Sequence, residues 1–364
     1  MRPTAKAMIR PMAPRPIRRA LVSLLGLTAV FTPAEVRAEI SLPAGFTATV
    51  YVTGEGNNSA MSGAAGVGMP STGSLAVDHT GALYLARTGR RYSGGEYEYL
   101  SPIYRVPPGG GRVTPQTEPR FFHGPPLNNS QVSADLAGRQ VFVTTFDRDR
   151  RVGVVYRLVD GQMRLLAGGA AEAGAAPLLV QPEGVAVNRA GHVFVADRER
   201  GVVVRLDAEG RVLDGSFARV VRPRVIAMDE ADHLWIGADA GAEAPWQPGP
   251  GQIWRVSPEG QARLVLEGPV AQGLAPGPGG VMFVAARQGA YVFALTPEGE
   301  QIVLARFTHG DAPRALTVVP ATPETRTAGM AGDLFVAVIR SGVFGLNEII
   351  RITGPFADLT SRRR

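Results

Sequence analysis

Six residues stand two positions ahead of six recurring apolar anchors, Leu75, Val132, Val185, Ile226, Leu274 and Leu316. They are Gly73, Ser130, Glu183, Arg224, Gln272 and Arg314. If the anchored segments surround one axis, a carboxylate, two guanidiniums, an amide and a hydroxyl converge on a single opening. Such a ring suits a small polar or anionic ligand, because planar guanidinium forks hold carboxylate or phosphate through paired hydrogen bonds. A plainer arrangement is also open, in which Glu183 and Arg224 neutralise each other as a salt bridge. Ser130 is the odd member, since its repeat carries one extra residue.

Proton transfer or metal ligation would draw on other groups. His123 and His309 occur in matching contexts, Arg120-Phe121-Phe122-His123-Gly124 and Arg306-Phe307-Thr308-His309-Gly310. Near neutral pH an imidazole there serves as a general base or a ligand, and with Glu183 these two are the candidate catalytic groups. The alternative is a repeat-encoded corner. Asn129 and Asp311 are oxygen donors that, with Glu183, would make a Ca²⁺ set. Arg87 opens one long loop that contains Tyr92, and a second loop, 240–251, contains Trp246; both residue types are enriched at binding surfaces. The chain has no cysteine, which excludes disulfides and thiolate chemistry. It also has no HExxH, no serine elbow and no Gly loop followed by Lys-Ser/Thr to cradle phosphate.

These residues sit on a repeat. An apolar segment, a Gly- or Asp-containing turn and a second Val-, Phe- and Tyr-rich segment recur. In four copies the second segment begins eight positions after the first, as a fixed hairpin register requires. The copy at Val132 gains one residue and that at Leu316 gains ten, around 320–332, which fits a longer turn. A third strand ending in a polar turn follows each hairpin, for example Val202-Val203-Val204-Arg205-Leu206, and a fourth closes most units. Anchors lie 41 to 57 residues apart, near the spacing of propeller blades, about 40–50 residues. The expectation is an all-β, six-bladed β-propeller of four-stranded antiparallel blades beginning near residues 74, 130, 184, 225, 273 and 315. The last unit lacks a fourth strand of its own. Residues 46–53, ahead of the first blade, would supply it and close the ring, leaving no long open edge.

The copy 181–210, with Pro182-Glu183-Gly184, Val193-Phe194-Val195-Ala196-Asp197 and a later Arg205-Leu206 before a Gly turn, resembles an NHL repeat. Nearly all of the chain beyond residue 38 is similar to the wider group of six-bladed propellers that holds gluconolactonase-like (SMP-30) proteins. Leu42-Pro43-Ala44-Gly45-Phe46 resembles the opening strand of soluble sugar dehydrogenases. The gluconolactonase resemblance implies a divalent ion held by an early Glu, two Asn and an Asp. Here the first blade begins Thr72-Gly73-Ser74, with no carboxylate at that place, and the dehydrogenases' His-Asn-Gly context has no match. Blade motifs specify a fold, and chemistry must come from the site.

The formal charge of +6 is concentrated at the start. Residues 1–38 hold seven basic residues and one acid, leaving 31 of each sign beyond. A neutral body removes the electrostatic case for nucleic acid. The Arg-rich start, the apolar run 20–31 and Val36-Arg37-Ala38 form an export signal, with a single mature domain from residue 39 to 364. The run is too short to span a bilayer, which takes about 20 apolar residues. The expected product is periplasmic or secreted, with no membrane span in its mature part. Two functions follow from the residues: a binding module for a small polar or anionic ligand or a protein partner, or a metal-assisted hydrolase of a lactone or similar ester.

Overall fold

The computed structural model describes residues 40–54, 72–87, 103–113, 130–147, 150–169, 175–242, 247, 249–340 and 347–359. All six anchors lie in the innermost strands of six blades: Thr72–Val77, Gln131–Ala134, Pro182–Val187, Pro223–Met228, Ala271–Pro276 and Ala312–Val318. In each blade the next strand returns antiparallel, and the sheet grows outward from the axis. The eight-residue spacing has a side-chain cause in the hairpin turn. Asp78 Oδ1 accepts the backbone N–H groups of Thr80 (2.9 Å) and Ala82 (3.0 Å), and Asp229 Oδ1 accepts those of Ala231 (3.0 Å) and His233 (2.8 Å). An Asx turn of this kind fixes where the returning strand starts. The second oxygen of each ties the turn to the blade, through Tyr84 Oη (3.1 Å) and Trp235 Nε1 (3.0 Å).

The second strands Val193–Asp197, Leu234–Ala238 and Met282–Ala286 are buried at every residue. Burial of both faces explains why they read as unbroken apolar runs instead of alternating ones. The described core is divided into six clusters, one at each boundary between neighbouring blades. Phe194, Phe217 and Ile236, for instance, join blades 3 and 4. Trp235, Leu274 and Phe293 join blades 4 and 5.

Closure comes from the N-terminal segment. Thr47–Gly54 pairs antiparallel with Asn347–Thr353 as the fourth strand of blade 6, as the sequence predicts. Just before it, Ile40–Ser41 adds a fifth strand to blade 5. The strand count departs from expectation in blade 1, which has three strands among the described residues. Gly111–Val113, the segment that would have extended it, pairs in parallel with Thr47–Gly54 on blade 6 instead. Its approach is close: a Cβ at Gly110, which has φ 66°, would lie 2.1 Å from the Tyr51 carbonyl oxygen. The ten-residue insertion of blade 6 also differs from a plain turn. It holds the short helix Pro323–Thr327, begun by a Thr322/Thr325 capping box with proline at its start. Thr322 Oγ1 donates to the His79 carbonyl (2.6 Å) and Met330 packs over Gly81, so the insertion binds blade 6 to the hairpin turn of blade 1.

Phe46 leads the closing strand. It is buried and meets Phe356 edge-on at 5.2 Å between ring centres. Replacing Phe46 with Ala is expected to cost about 3 kcal/mol of stability, measured by urea unfolding of the chain from residue 39, whereas Val50→Ala on the exposed side of the same strand should change little.

Candidate functional site

The innermost strands wall a central channel of about 580 Å³, and each of the six contributes to it. Its sides are mostly apolar. Its two ends differ in chemistry. Where the first strands begin, the wall holds Gly73, Gln131 and Gln272; where they end, it holds Asp135, Glu230 and Asp333.

The predicted ring is explained by a backbone device. In five blades a β-bulge falls at the position two before the anchor, between Thr72 and Ser74, Pro182 and Val185, Pro223 and Val225, Ala271 and Gly273, and Pro313 and Ala315. Gly73, Glu183, Arg224, Gln272 and Arg314 all lie within these bulges. A bulge re-aims the side chain it carries. Gly73 and Gln272 reach the channel wall, while Glu183, Arg224 and Arg314 stand outside it. Blade 2 pairs Gln131 with Thr144 and Val132 with Val143 without a bulge in its described strand. The blade 2 member at the channel is therefore Gln131. Ser130 is fully buried, and its hydroxyl has no hydrogen-bond partner among the described residues.

The charges of blades 3 and 4 form a buried chain instead of an open ring. Glu183 Oε1 accepts from Gln181 Nε2 (2.7 Å) and Oε2 from Gln131 Nε2, with Arg198 Nε at 4.0 Å. Arg198 Nε then donates to Asp239 Oδ2 (3.1 Å), and Arg224 Nε donates to Asp239 Oδ1 (2.8 Å). One carboxylate is thus clamped between guanidiniums of two neighbouring blades. Arg224 is ion-paired with Asp239 where the sequence suggested Glu183, and its Nη2 donates to the Ala271 carbonyl of blade 5. Asp197 holds the approach to blade 3 by accepting the Val180 (2.8 Å) and Gln181 (3.1 Å) N–H groups.

The other candidates are dispersed. His309 is exposed, in a turn with φ 56° just before the first strand of blade 6, a position that matches the corner reading. Glu183 and Asp311 belong to blades 3 and 6, opposite each other in the ring, and Asp311 Oδ2 lies 3.3 Å from Arg340 Nε. Among the described residues no three His, Asp or Glu side chains are grouped to hold a metal ion. Arg87 ends the second strand of blade 1. Its side chain, together with His123, Asn129, Tyr92 and Trp246, lies outside the described residues.

At the far end of the channel, burial pushes the Asp135 carboxyl up, against the lowering effect of the Gln140 and Arg139 N–H groups. Burial likewise raises Asp333, opposed by Arg351. Asp229, in the equivalent turn of blade 4, moves the other way: burial raises it, but Trp235, two backbone N–H groups and Arg255 outweigh that and bring it below its usual value.

The comparisons agree with this architecture. Residues 179–206 match the model of the NHL repeat. No curated protein sequence matches the chain. Among solved structures, a putative oxidoreductase (glucose dehydrogenase) of Thermus thermophilus superposes with a TM-score of 0.54 at 13% identity, over 85% of this chain and 100% of that one. The soluble aldose sugar dehydrogenase of Escherichia coli gives 0.53 at 13%, over 85% and 100%. The PQQ-bound aldose sugar dehydrogenase of Streptomyces coelicolor gives 0.51 at 13%, over 86% and 100%. The chain is a six-bladed β-propeller carrying an NHL repeat, and its fold is distantly similar to that of sugar dehydrogenases.

Three substitutions test these electrostatics. Asp239→Ala leaves two buried guanidiniums facing each other and should cost about 3–5 kcal/mol, read by urea unfolding. Asp135 has a folded pKa above the ordinary carboxylate value of about 3.9. Its contribution to stability therefore improves as pH falls through the raised value and is lost as pH rises through it. Asp135→Asn keeps the acceptor for the turn N–H groups, so melting curves should show equal or higher stability at pH 7 and a flatter response to mild acid. Asp229→Asn should lose stability at pH 7, with the loss vanishing as pH falls below the depressed value.

Proposed function

We propose that the chain acts, after export to the periplasm or beyond, as a binding module that takes a small polar molecule at the mouth of the channel where the first strands begin. The observation that carries this reading is a preformed cavity with apolar walls and a narrow polar belt, Gln131 and Gln272, at one end. Cavities of this size, a few hundred Å³ with few convergent polar groups, are the usual form of small-molecule sites. Both amides are held on inner strands, one of them by the Glu183 carboxylate, so the belt is organised before a ligand arrives. An amide offers both a donor and an acceptor, which suits a hydroxyl or carbonyl group on the ligand. The 38-residue basic and apolar leader supports export, and the balanced charge of the remainder supports a ligand other than nucleic acid.

The test is a thermal-shift screen of polar metabolite-like compounds against residues 39–364, with calorimetry on the hits and metal analysis of the same protein. The expected result is a compound whose affinity falls at least tenfold, about 1.4 kcal/mol, in Gln272→Ala while the melting temperature of the unliganded variant stays near that of the parent. Hits that bind Gln272→Ala unchanged would overturn the channel-mouth site. Stoichiometric divalent metal with a melting temperature that drops on chelation would favour the hydrolase reading instead.

A further inference from the structure

The Gln131 amide at the channel mouth is held with its polarity fixed. Its Nε2 donates to Glu183 Oε2, while Gln181 Nε2 donates to the other oxygen, Oε1, at 2.7 Å. A carboxylate oxygen accepts hydrogen bonds and offers none to an amide oxygen. Turning the Gln131 amide over would therefore set oxygen against oxygen. The carboxylate is itself held in place. Thr144 Oγ1 of blade 2 donates to the Glu183 carbonyl (2.6 Å), and Arg198 Nε lies 4.0 Å from Oε1. Nearby, the Val185 N–H donates to Ser133 Oγ (3.2 Å), which ties the same two inner strands together.

The other atom of the amide, Gln131 Oε1, accepts no hydrogen bond from any described residue. It is not sealed in protein either. The described side-chain polar atoms buried without a partner are Ser130 Oγ and the Nε atoms of Arg157, Arg205 and Arg255. Gln131 is only 8% exposed and lines the channel, so the surface its oxygen retains is channel surface. A ligand that covers this oxygen without a donor leaves it desolvated and unpaired, at a cost that a matching N–H or O–H avoids. The lining also holds Asp135, Glu230 and Asp333 and, among the described residues, no lysine, arginine or histidine. An anionic ligand thus meets no counter-charge on the wall.

We propose that the channel mouth takes its ligand through an N–H or O–H donor set on Gln131 Oε1, and that Glu183 is the positioning residue that imposes this preference. The ligand class is a compound without negative charge that joins such a donor to an apolar body. The donor meets the amide, and the body lies along the aliphatic walls formed by residues such as Val132, Ile226 and Leu316. The inference rests on the binding reading above and narrows it: at Gln131 a carbonyl on the ligand is rejected, and the anion that the sequence suggested is rejected with it.

The experiment uses residues 39–364 and three matched pairs, indole with benzofuran, pyrrole with furan and cyclohexanol with cyclohexanone, measured by ligand-observed NMR and calorimetry. At least one donor should bind, and each donor that binds should exceed its partner by about tenfold in affinity. Benzoate, the anionic control, should not bind. Glu183→Gln, whose amide can present either atom to Gln131, should bring the two members of a pair close to equal affinity. Gln131→Met, of similar length and without an amide, should do the same. If Glu183→Gln does not fold, Gln131→Met and the pairs on the parent protein still decide. Equal binding within the pairs on the parent, a preference that survives unchanged in Gln131→Met or in folded Glu183→Gln, binding of benzoate, or a panel in which nothing binds would overturn the proposal. Should a compound of this panel or of the thermal-shift screen bind without donor preference and be lost in Gln272→Ala, this inference fails and the channel-mouth reading stands; if nothing in either set binds, both fail.

Discussion

Among the described residues no blade has a core of its own. Every described hydrophobic cluster is shared by two neighbours, so the sixth boundary is buried only when the ring is closed. Closure falls to segments distant in sequence: Thr47–Gly54 completes blade 6, Ile40–Ser41 edges blade 5, and the blade 6 insertion reaches the turn of blade 1. Bringing such ends together carries a loop-closure cost that local contacts do not repay. The large aromatic side chains that flank blade 6, Phe46 and Phe356 against blade 5 and Phe335 against blade 1, offset it by burying apolar surface.

The same constraint shapes the site. Inner strands must converge on an axis without colliding, and five of the six do so with a bulge that turns one side chain out of the regular pleat. Where that side chain is small or neutral, Gly73 or Gln272, it meets the channel. Where it is charged, Glu183 or Arg224, it is drawn into the seam, because a buried charge needs a partner close by. Asp239 satisfies two such charges at once.

Much of the fold was legible because its determinants are local. In blades 1, 3 and 4 hairpin spacing follows from Asx turns a few residues after the anchor, and the need for a closing strand follows from counting strands in the last unit. Blade 1 was less legible, since the choice of Gly111–Val113 between two sheet edges is a tertiary one. The insertion's helix did leave a signal, Thr322-Pro323 with Thr325 three residues after the cap, that a search for long turns passes over. At the site, the ring positions were visible but their roles were not. Alternating patterns do not reveal bulges, so the spacing points to Ser130 where the channel wall holds Gln131. Arg224 was matched to the acid on the neighbouring inner strand instead of Asp239, which follows its own second strand.

The central claim is that the Gln131 and Gln272 amides form the polar end of a small-molecule site in the channel. The most direct measurement is a crystal structure of residues 39–364 soaked with a compound that raises the melting temperature. Density for the compound is expected beside Gln131 and Gln272, at the channel end where the first strands begin. Density only at the opposite end near Asp135 and Asp333, or none in the protein, would contradict it.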